Sequence, residues 1–263
     1  MPDRARVTAT LPLSGRHGIL PCVRALPLAL MALAVVAAPA MAGSGKREAI
    51  IPGPTAGKAF TAEVKVATVA RAKPNAGAVV APVSTDAPWS GGKNRLLVLG
   101  SKHDDNGRTW LHVELPSRPN HSSGWMLADF ASVTPTAYRV VVSLSQRTLS
   151  LYRAGKLVRT VESVVGAPTT PTPTGLYAVS TAVRQPDAGG FYGPWVLHLN
   201  AYSDVLRSFE GGPGTIGIHG RAGASLSTPL GTALSHGCVR VDNDVISLLA
   251  RVAQPGTPVE IRA

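Results

Sequence analysis

Short alternating or wholly apolar runs, each closed by Gly, Pro, Asn or Asp, recur from Lys58 to the C-terminus and leave little room for an architecture not built from strands. Alternation gives a strand one inward face, and turn residues at its ends break the backbone ladder. The 27 Gly and 22 Pro of the 263-residue sequence supply those breaks, and helical periodicity is sparse. Val64–Val69 alternates, and Arg95–Leu99 reads as a buried strand. Asp104-Asp105-Asn106-Gly107 is a strong turn into the alternating Thr109–Leu115, and Ser122-Ser123-Gly124-Trp125 precedes another apolar run. Trp110 and Trp125 read as core side chains.

The rhythm sharpens after Thr134-Pro135-Thr136, which reads as a joint between a small β domain over 58–134 and a larger one over 138–263. Arg139–Leu144, Leu149–Arg153, the turn Ala154-Gly155 and Leu157–Val165 form a β-meander. A Pro/Thr-rich loop, Gly166–Gly175, ends in Thr172-Pro173-Thr174-Gly175, and Leu176–Val183 and Trp195–Leu199 are further strands. One helix is predicted. Asp242 can cap it, Val245, Leu248, Leu249 and Val252 follow at helical spacing, and Pro255-Gly256 stops it before a last strand, Val259–Ile261.

The N-terminus reads as an export signal. Arg4, Arg6, Arg16 and Arg24 lead into an uncharged apolar run from Ala25 to about Ala38, followed by Ala40-Met41-Ala42. Basic, apolar, then A-x-A is the secretory pattern, with the cut expected between Ala42 and Gly43 and a flexible lead-in over 43–57. The alternative is an uncleaved anchor over Ala25–Ala42. Removing 1–42 takes four Arg and one Asp from the formal +11, leaving +8. A basic exported protein suits anionic wall polymers, or simply has a solvated basic surface. Nucleic acid is a poor match, with no basic helix, no zinc-finger spacing and few aromatics.

Of the two cysteines, Cys22 falls in the leader, so Cys238 is expected to be the mature chain's lone thiol. It sits in Ser235-His236-Gly237-Cys238-Val239-Arg240, with a second pair, His219-Gly220, upstream. A cysteine attacks as thiolate and needs a neighbour to take its proton. His236, two residues away, would share a side with Cys238 in an extended segment. His219 can be brought alongside by the Gly/Ser/Thr-rich stretch after it. Gly237 lets backbone amides approach a carbonyl, so amides at Gly237 and Cys238 can form an oxyanion hole. Arg240 can hold a carboxylate. The competing readings are an inert packed thiol and a zinc site on His219, His236 and Cys238. The latter lacks C-x-x-C or H-E-x-x-H spacing and a neighbouring carboxylate. His198 reads as structural, and His103, His112 and His121 as outside the chemistry.

The fifteen residues Gly220–Leu234 between His219 and Ser235 make the pattern specific. His219-Gly220, a loop and Ser235-His236-Gly237-Cys238 resemble the catalytic motif of the L,D-transpeptidases of the YkuD type. The Thr172–Gly175 loop and the helix after the motif resemble that family too. Some members carry Asn where this chain has Arg240, and Arg also occurs there. The resemblance covers about Tyr138 to Ala263 and implies a mainly β fold: a YkuD-like β-sandwich catalytic domain with one short C-terminal helix. The "Trp-x-x-Val" and "Gly-Trp-Met" segments of 58–134 resemble bacterial SH3-like modules. The family implies peptidoglycan stem peptides as donor and acceptor, Cys238 as nucleophile and His219 as base. It also implies a Gly220 carbonyl that orients the imidazole and amides of His236, Gly237 and Cys238 as oxyanion donors. Ser235, His236 and Arg240 would shape the site, and no cofactor or metal is called for.

Overall fold

The computed structural model describes residues 49–88 and 91–263. The expected leader over 1–42 lies outside them. The described residues form one compact unit, built on two large sheets.

The first sheet contains β1 (Ala59–Val64), β2 (Thr68–Arg71), β3 (Val79–Val83), β4 (Arg95–His103), β5 (Thr109–Glu114), β6 (Ser123–Leu127) and β7 (Ala131–Thr136). It is antiparallel, in the order β3, β2, β6, β5, β4, β1, β7. Its core is Ala62, Val64, Leu96, Val98, Leu111, Val113 and Met126, the inward set that alternation selects. Two expectations need correction. Val64–Val69 is not one strand: β1 ends at Val64 and β2 begins at Thr68, with the amides of Lys65 and Val66 both donating to the Phe130 carbonyl across the break. Thr134–Thr136 is no loop but the end of β7, the last strand before the chain passes to the second sheet; there Thr134 pairs with Thr61 and Pro135 with Phe60. Pro135 fits because β7 is an edge strand, where a missing donor costs no ladder bond. Trp110 is buried as expected. Trp125 is half-buried, with His112 stacked at 4.7 Å and the Lys102 ammonium 4.4 Å from its ring centre.

The second sheet takes β8 (Tyr138–Ser143), β9 (Thr148–Arg153) and β10 (Lys156–Glu162), the expected meander. It adds β12 (Gly175–Arg184), β13 (Trp195–Tyr202), β14 (Thr215–His219), β16 (Val239–Arg240) and β17 (Pro258–Arg262). The order is β10, β9, β8, β17, β12, β13, β14, β16, with β8–β17 and β14–β16 parallel and the rest antiparallel. A two-stranded parallel pair, β11 (Val165–Gly166) with β15 (Ala233–Ser235), stands beside it. The helix α1 (Asn243–Val252) packs its Val245, Ile246 and Leu249 into the same core as Ile216, Ile218 and Val239. Ile246 is fully buried, whereas Leu248 and Val252 are only partly so. Asp242 sits at the N-cap position without a side-chain cap bond; its carboxylate instead lies 3.6 Å from Arg221 Nε.

The sheets meet along a small apolar seam of Ala59, Leu97 and Ala178. Beside it, Glu114 at the end of β5 accepts a hydrogen bond from Asn200 Nδ2 of β13 at 3.3 Å. The loop joining β5 to β6 lies against the end of β13: Tyr202 Oη donates to the Pro116 carbonyl at 2.7 Å.

Candidate active site

The site sits at one edge of the second sheet, where β13, β14 and β16 run side by side. Val196, His219 and Arg240 form one cross-strand row, Leu197, Ile218 and Val239 the next, and His198 and Gly217 the third. Residues directly across a ladder share a face, and successive residues alternate. Leu197, Ile218 and Val239 are fully buried in the core, so His219 and Arg240 project to the opposite face. There they line, with Cys238, a cavity of about 270 Å³. Parallel pairing of β14 with β16 is what brings two segments nineteen positions apart into contact, as the sequence between them loops back.

His219 is about 1% exposed. Its Nδ1 lies 2.7 Å from the Gly220 carbonyl oxygen. A carbonyl only accepts, so Nδ1 carries the proton and Nε2 keeps a free lone pair. Burial, joined by the positive charge of Arg240, lowers the imidazole pKa to about 4, against the opposing pull of the Gly220 bond. Tyr192 stands edge-on to the ring at 4.9 Å, and Phe191 lies 6.0 Å away. Asn243, the first residue of α1, accepts from the Arg221 amide at 2.8 Å and so ties the turn after His219 to the helix.

Cys238 is half-buried and is the free cysteine among the described residues. Burial pushes its thiol up, while the Gly217 amide and the Arg240 guanidinium pull it down and Glu210 adds to the rise. A raised thiol beside a lowered imidazole makes the resting pair neutral at neutral pH. The segment before Cys238 is not extended: β15 ends at Ser235, and Gly237 has φ +119°. His236 and Cys238 nonetheless both line the cavity, on either side of that bend. His236 is exposed, and its ring rests 5.3 Å from Phe209 at the cavity wall. The bend is pinned from both sides. Ser235 Oγ donates to the Cys238 carbonyl at 2.6 Å and accepts from the Gly237 amide at 3.1 Å. Thr172 Oγ1 donates to the Gly237 carbonyl at 2.7 Å and accepts from the Gly166 amide at 2.9 Å. Thr170 Oγ1 donates to the Ser235 carbonyl at 3.1 Å.

Arg240 is buried, stacks on Phe191 at 4.8 Å and donates to Thr228 Oγ1 at 3.3 Å. Its Nε has no partner. His198, read from the sequence as structural, lies across from Gly217 and lines the cavity, because β13 runs between β12 and β14. Sequence reasoning also missed Tyr192 and Glu210, which close a hydrogen bond between two loops beside the cavity. Nothing local marks either residue, since each reaches the site from a loop outside the motif. Thr172 carried a signal in its Thr-Pro-Thr-Gly setting, and the tertiary contact with Gly237 supplies the reason.

With this geometry in view, comparison with known proteins is specific. Residues 137–261 match the family model for the L,D-transpeptidase catalytic domain, YkuD. The protein YkuD of Bacillus licheniformis is 32% identical over 161 residues, covering 59% of this chain and 87% of that one. YkuD of Bacillus subtilis is 31% identical over 124 residues, covering 47% and 65%. The solved structure of Bdellovibrio bacteriovorus Bd1075 aligns at a TM-score of 0.37 with 29% identity over 48% of each chain. A relative matched at this identity over most of its length, together with the family-model match, means that the chain belongs to the YkuD-type L,D-transpeptidase family.

Proposed function

We propose that the protein is an exported L,D-transpeptidase that forms 3→3 cross-links between peptidoglycan stem peptides through a thioester on Cys238. The observation that carries this is the shared cavity of Cys238 and His219, with His219 Nδ1 committed to Gly220 and Nε2 left as a base. Nε2 takes the thiol proton as the sulfur attacks the carbonyl of the third stem residue. The carbonyl oxygen gathers charge opposite backbone amides of the 236–238 bend. There the Gly237 amide already donates to Ser235, so the His236 and Cys238 amides are the better donors. As the tetrahedral species collapses, the imidazolium gives its proton to the departing D-Ala amine and the thioester remains. An amine of a second stem then attacks the thioester, His219 takes its proton, and the thiolate leaves and is reprotonated. Arg240, buried with an unpartnered Nε beside the cavity, suits a substrate carboxylate.

A low-pKa imidazole and a raised thiol fit this neutral-pair route: the proton moves during attack, not before it. Water as acceptor makes the same site an L,D-carboxypeptidase, and a protein lysine makes it a protein-to-wall ligase. The export signal over 1–42 and the basic charge fit work in the periplasm or cell wall, among anionic polymers. Mass spectrometry of the purified protein with a tetrapeptide stem tests the reading. A Cys238 adduct with loss of D-Ala, absent in Cys238→Ala, is expected, and adding an acceptor amine should convert the adduct to cross-linked product. Binding without an adduct would mean a wall-binding module instead.

A further inference from the structure

The first sheet does more than adjoin the catalytic one. Its loop between β5 and β6, residues 115–122, reaches the loop between β13 and β14, residues 203–214, which forms one wall of the cavity. Arg118 lies at the centre of this contact. Its Nη1 donates to the Ser203 carbonyl at 2.8 Å, and its Nη2 donates to the carbonyls of Pro213 at 3.0 Å and Leu206 at 3.3 Å. Ser203 and Pro213 stand near opposite ends of the wall loop, so one rigid guanidinium fork ties its entry to its exit. The same guanidinium stacks on Tyr202 at 4.9 Å. Asn120 adds a second hold: it accepts from the Tyr202 amide at 2.9 Å and donates to the Tyr202 carbonyl at 2.8 Å and the Asp204 carboxylate at 3.2 Å.

The tip of the wall loop is where this anchoring matters. Phe209 packs on His236, and Glu210 accepts from Tyr192, whose ring stands against the His219 imidazole. Between 204 and 212 the loop's own bonds are few: Ser203 Oγ accepts from the Val205 and Leu206 amides, and Phe209 pairs with Gly212. Arg118 therefore supplies much of the order that sets the tip's position. The 115–122 loop also steadies the other flank of Cys238. His121 stacks on Tyr177 at 4.9 Å, over Gly175, where a Cβ would fall 2.0 Å from the His121 ring. Gly175 ends the loop that holds Thr170 and Thr172 against the 235–237 bend.

We propose that Arg118 is a positioning residue of the active site: supplied by the N-terminal sheet, it fixes the 203–214 wall against which the stem peptide binds. It touches neither Cys238 nor His219. Its loss should therefore weaken substrate binding more than it slows the chemical step. The kinetic part of the test rests on the transfer reaction proposed above, while a proteolytic part does not. Arg207 lies exposed within the wall loop and gives trypsin a reporter. Arg118→Ala should raise cleavage after Arg207 by about tenfold or more, because protease reads the population of the open loop. It should raise KM for a tetrapeptide stem about tenfold while changing kcat less than about threefold, at an unchanged rate of Cys238 alkylation by iodoacetamide. Asn120→Ala should move both readouts the same way by less. If Arg118→Ala does not accumulate folded, Arg118→Lys, which keeps the charge and loses the fork, carries the same measurements. Wild-type cleavage at Arg207 in a folded Arg118 variant would overturn the proposal. So would a fall in kcat that matches the fall in kcat/KM. A wild-type protein without turnover would sink the proposed reaction and leave the proteolytic comparison to judge the brace.

Discussion

Glu114 offers a direct test of how the two sheets are joined. Its carboxyl is 3% exposed, and burial raises its pKa to about 8, against the one bond from Asn200. Two acceptors remain stranded there, Glu114 Oε1 and Asn200 Oδ1. A carboxyl proton supplies the donor both lack, so the protonated acid fits the site and the carboxylate does not. The sign follows from linkage. A carboxyl whose folded pKa is raised contributes stability in full below its unfolded value of about 4.5 and loses it as pH rises through about 8. The gap between about 4.5 and about 8 corresponds to at most about 5 kcal/mol. Glu114→Gln keeps the shape, gives Asn200 Oδ1 an amide donor, and does not titrate. Thermal unfolding of both proteins between about pH 5 and pH 9 is the assay. For a chain of this size each kcal/mol moves Tm by roughly 2–4 °C, so the variant should match wild type at the acid end and exceed it by up to roughly 10–20 °C at the alkaline end. His219 acts in the opposite sense. Its lowered folded pKa costs stability as pH falls from 6.5 through about 4, but it is common to both proteins and cancels in the difference. Parallel Tm–pH curves would refute the reasoning, because they would mean Glu114 is already ionised without penalty.

Three further outcomes are expected. Thr172→Val keeps the side-chain shape but strands the buried Gly237 carbonyl and the Gly166 amide; at about 1–3 kcal/mol for each stranded group, denaturant titration should show a loss within that range or its double, with slower acylation of Cys238. Gly237→Ala places a Cβ at φ +119° and 2.9 Å from Ile216 Cδ1, so it should cost about 1–3 kcal/mol in unfolding and most of the turnover; an active, equally stable variant would show that the bend is not needed. Alkylation of Cys238 by iodoacetamide should climb with pH into the alkaline range, since burial raises the thiol and lowers the imidazole; a plateau below pH 7 would mean a preformed thiolate–imidazolium pair.

Much of the strand pattern was legible because alternation and turn residues are local signals. β5, β8, β9, β12 and α1 all fall where their periodicity placed them. The misses are equally physical. β3 presents Val79 and Val80 to solvent, so it carries no inward pattern to read. Thr134-Pro135-Thr136 looks like a linker by composition, yet its position at a sheet edge lets it pair with β1. His236 was judged as part of an extended segment, whereas a positive-φ glycine bends the chain between it and Cys238.

The sequence by itself determined the class of strands and the family, and it singled out His219 and Cys238 as the candidate pair, because each is written in residue type and short-range spacing. Tertiary structure alone decided which face of the sheet holds the site and which distant residues complete it. His198, Tyr192 and Glu210 come to line the cavity with Cys238, and Thr172 to bond Gly237 beside it, through strand pairing and loop docking, and Arg118 holds the wall loop from the other sheet. Such contacts depend on which strands become neighbours, and neighbour choice is set by burying the whole core at once, a property no local stretch of sequence carries.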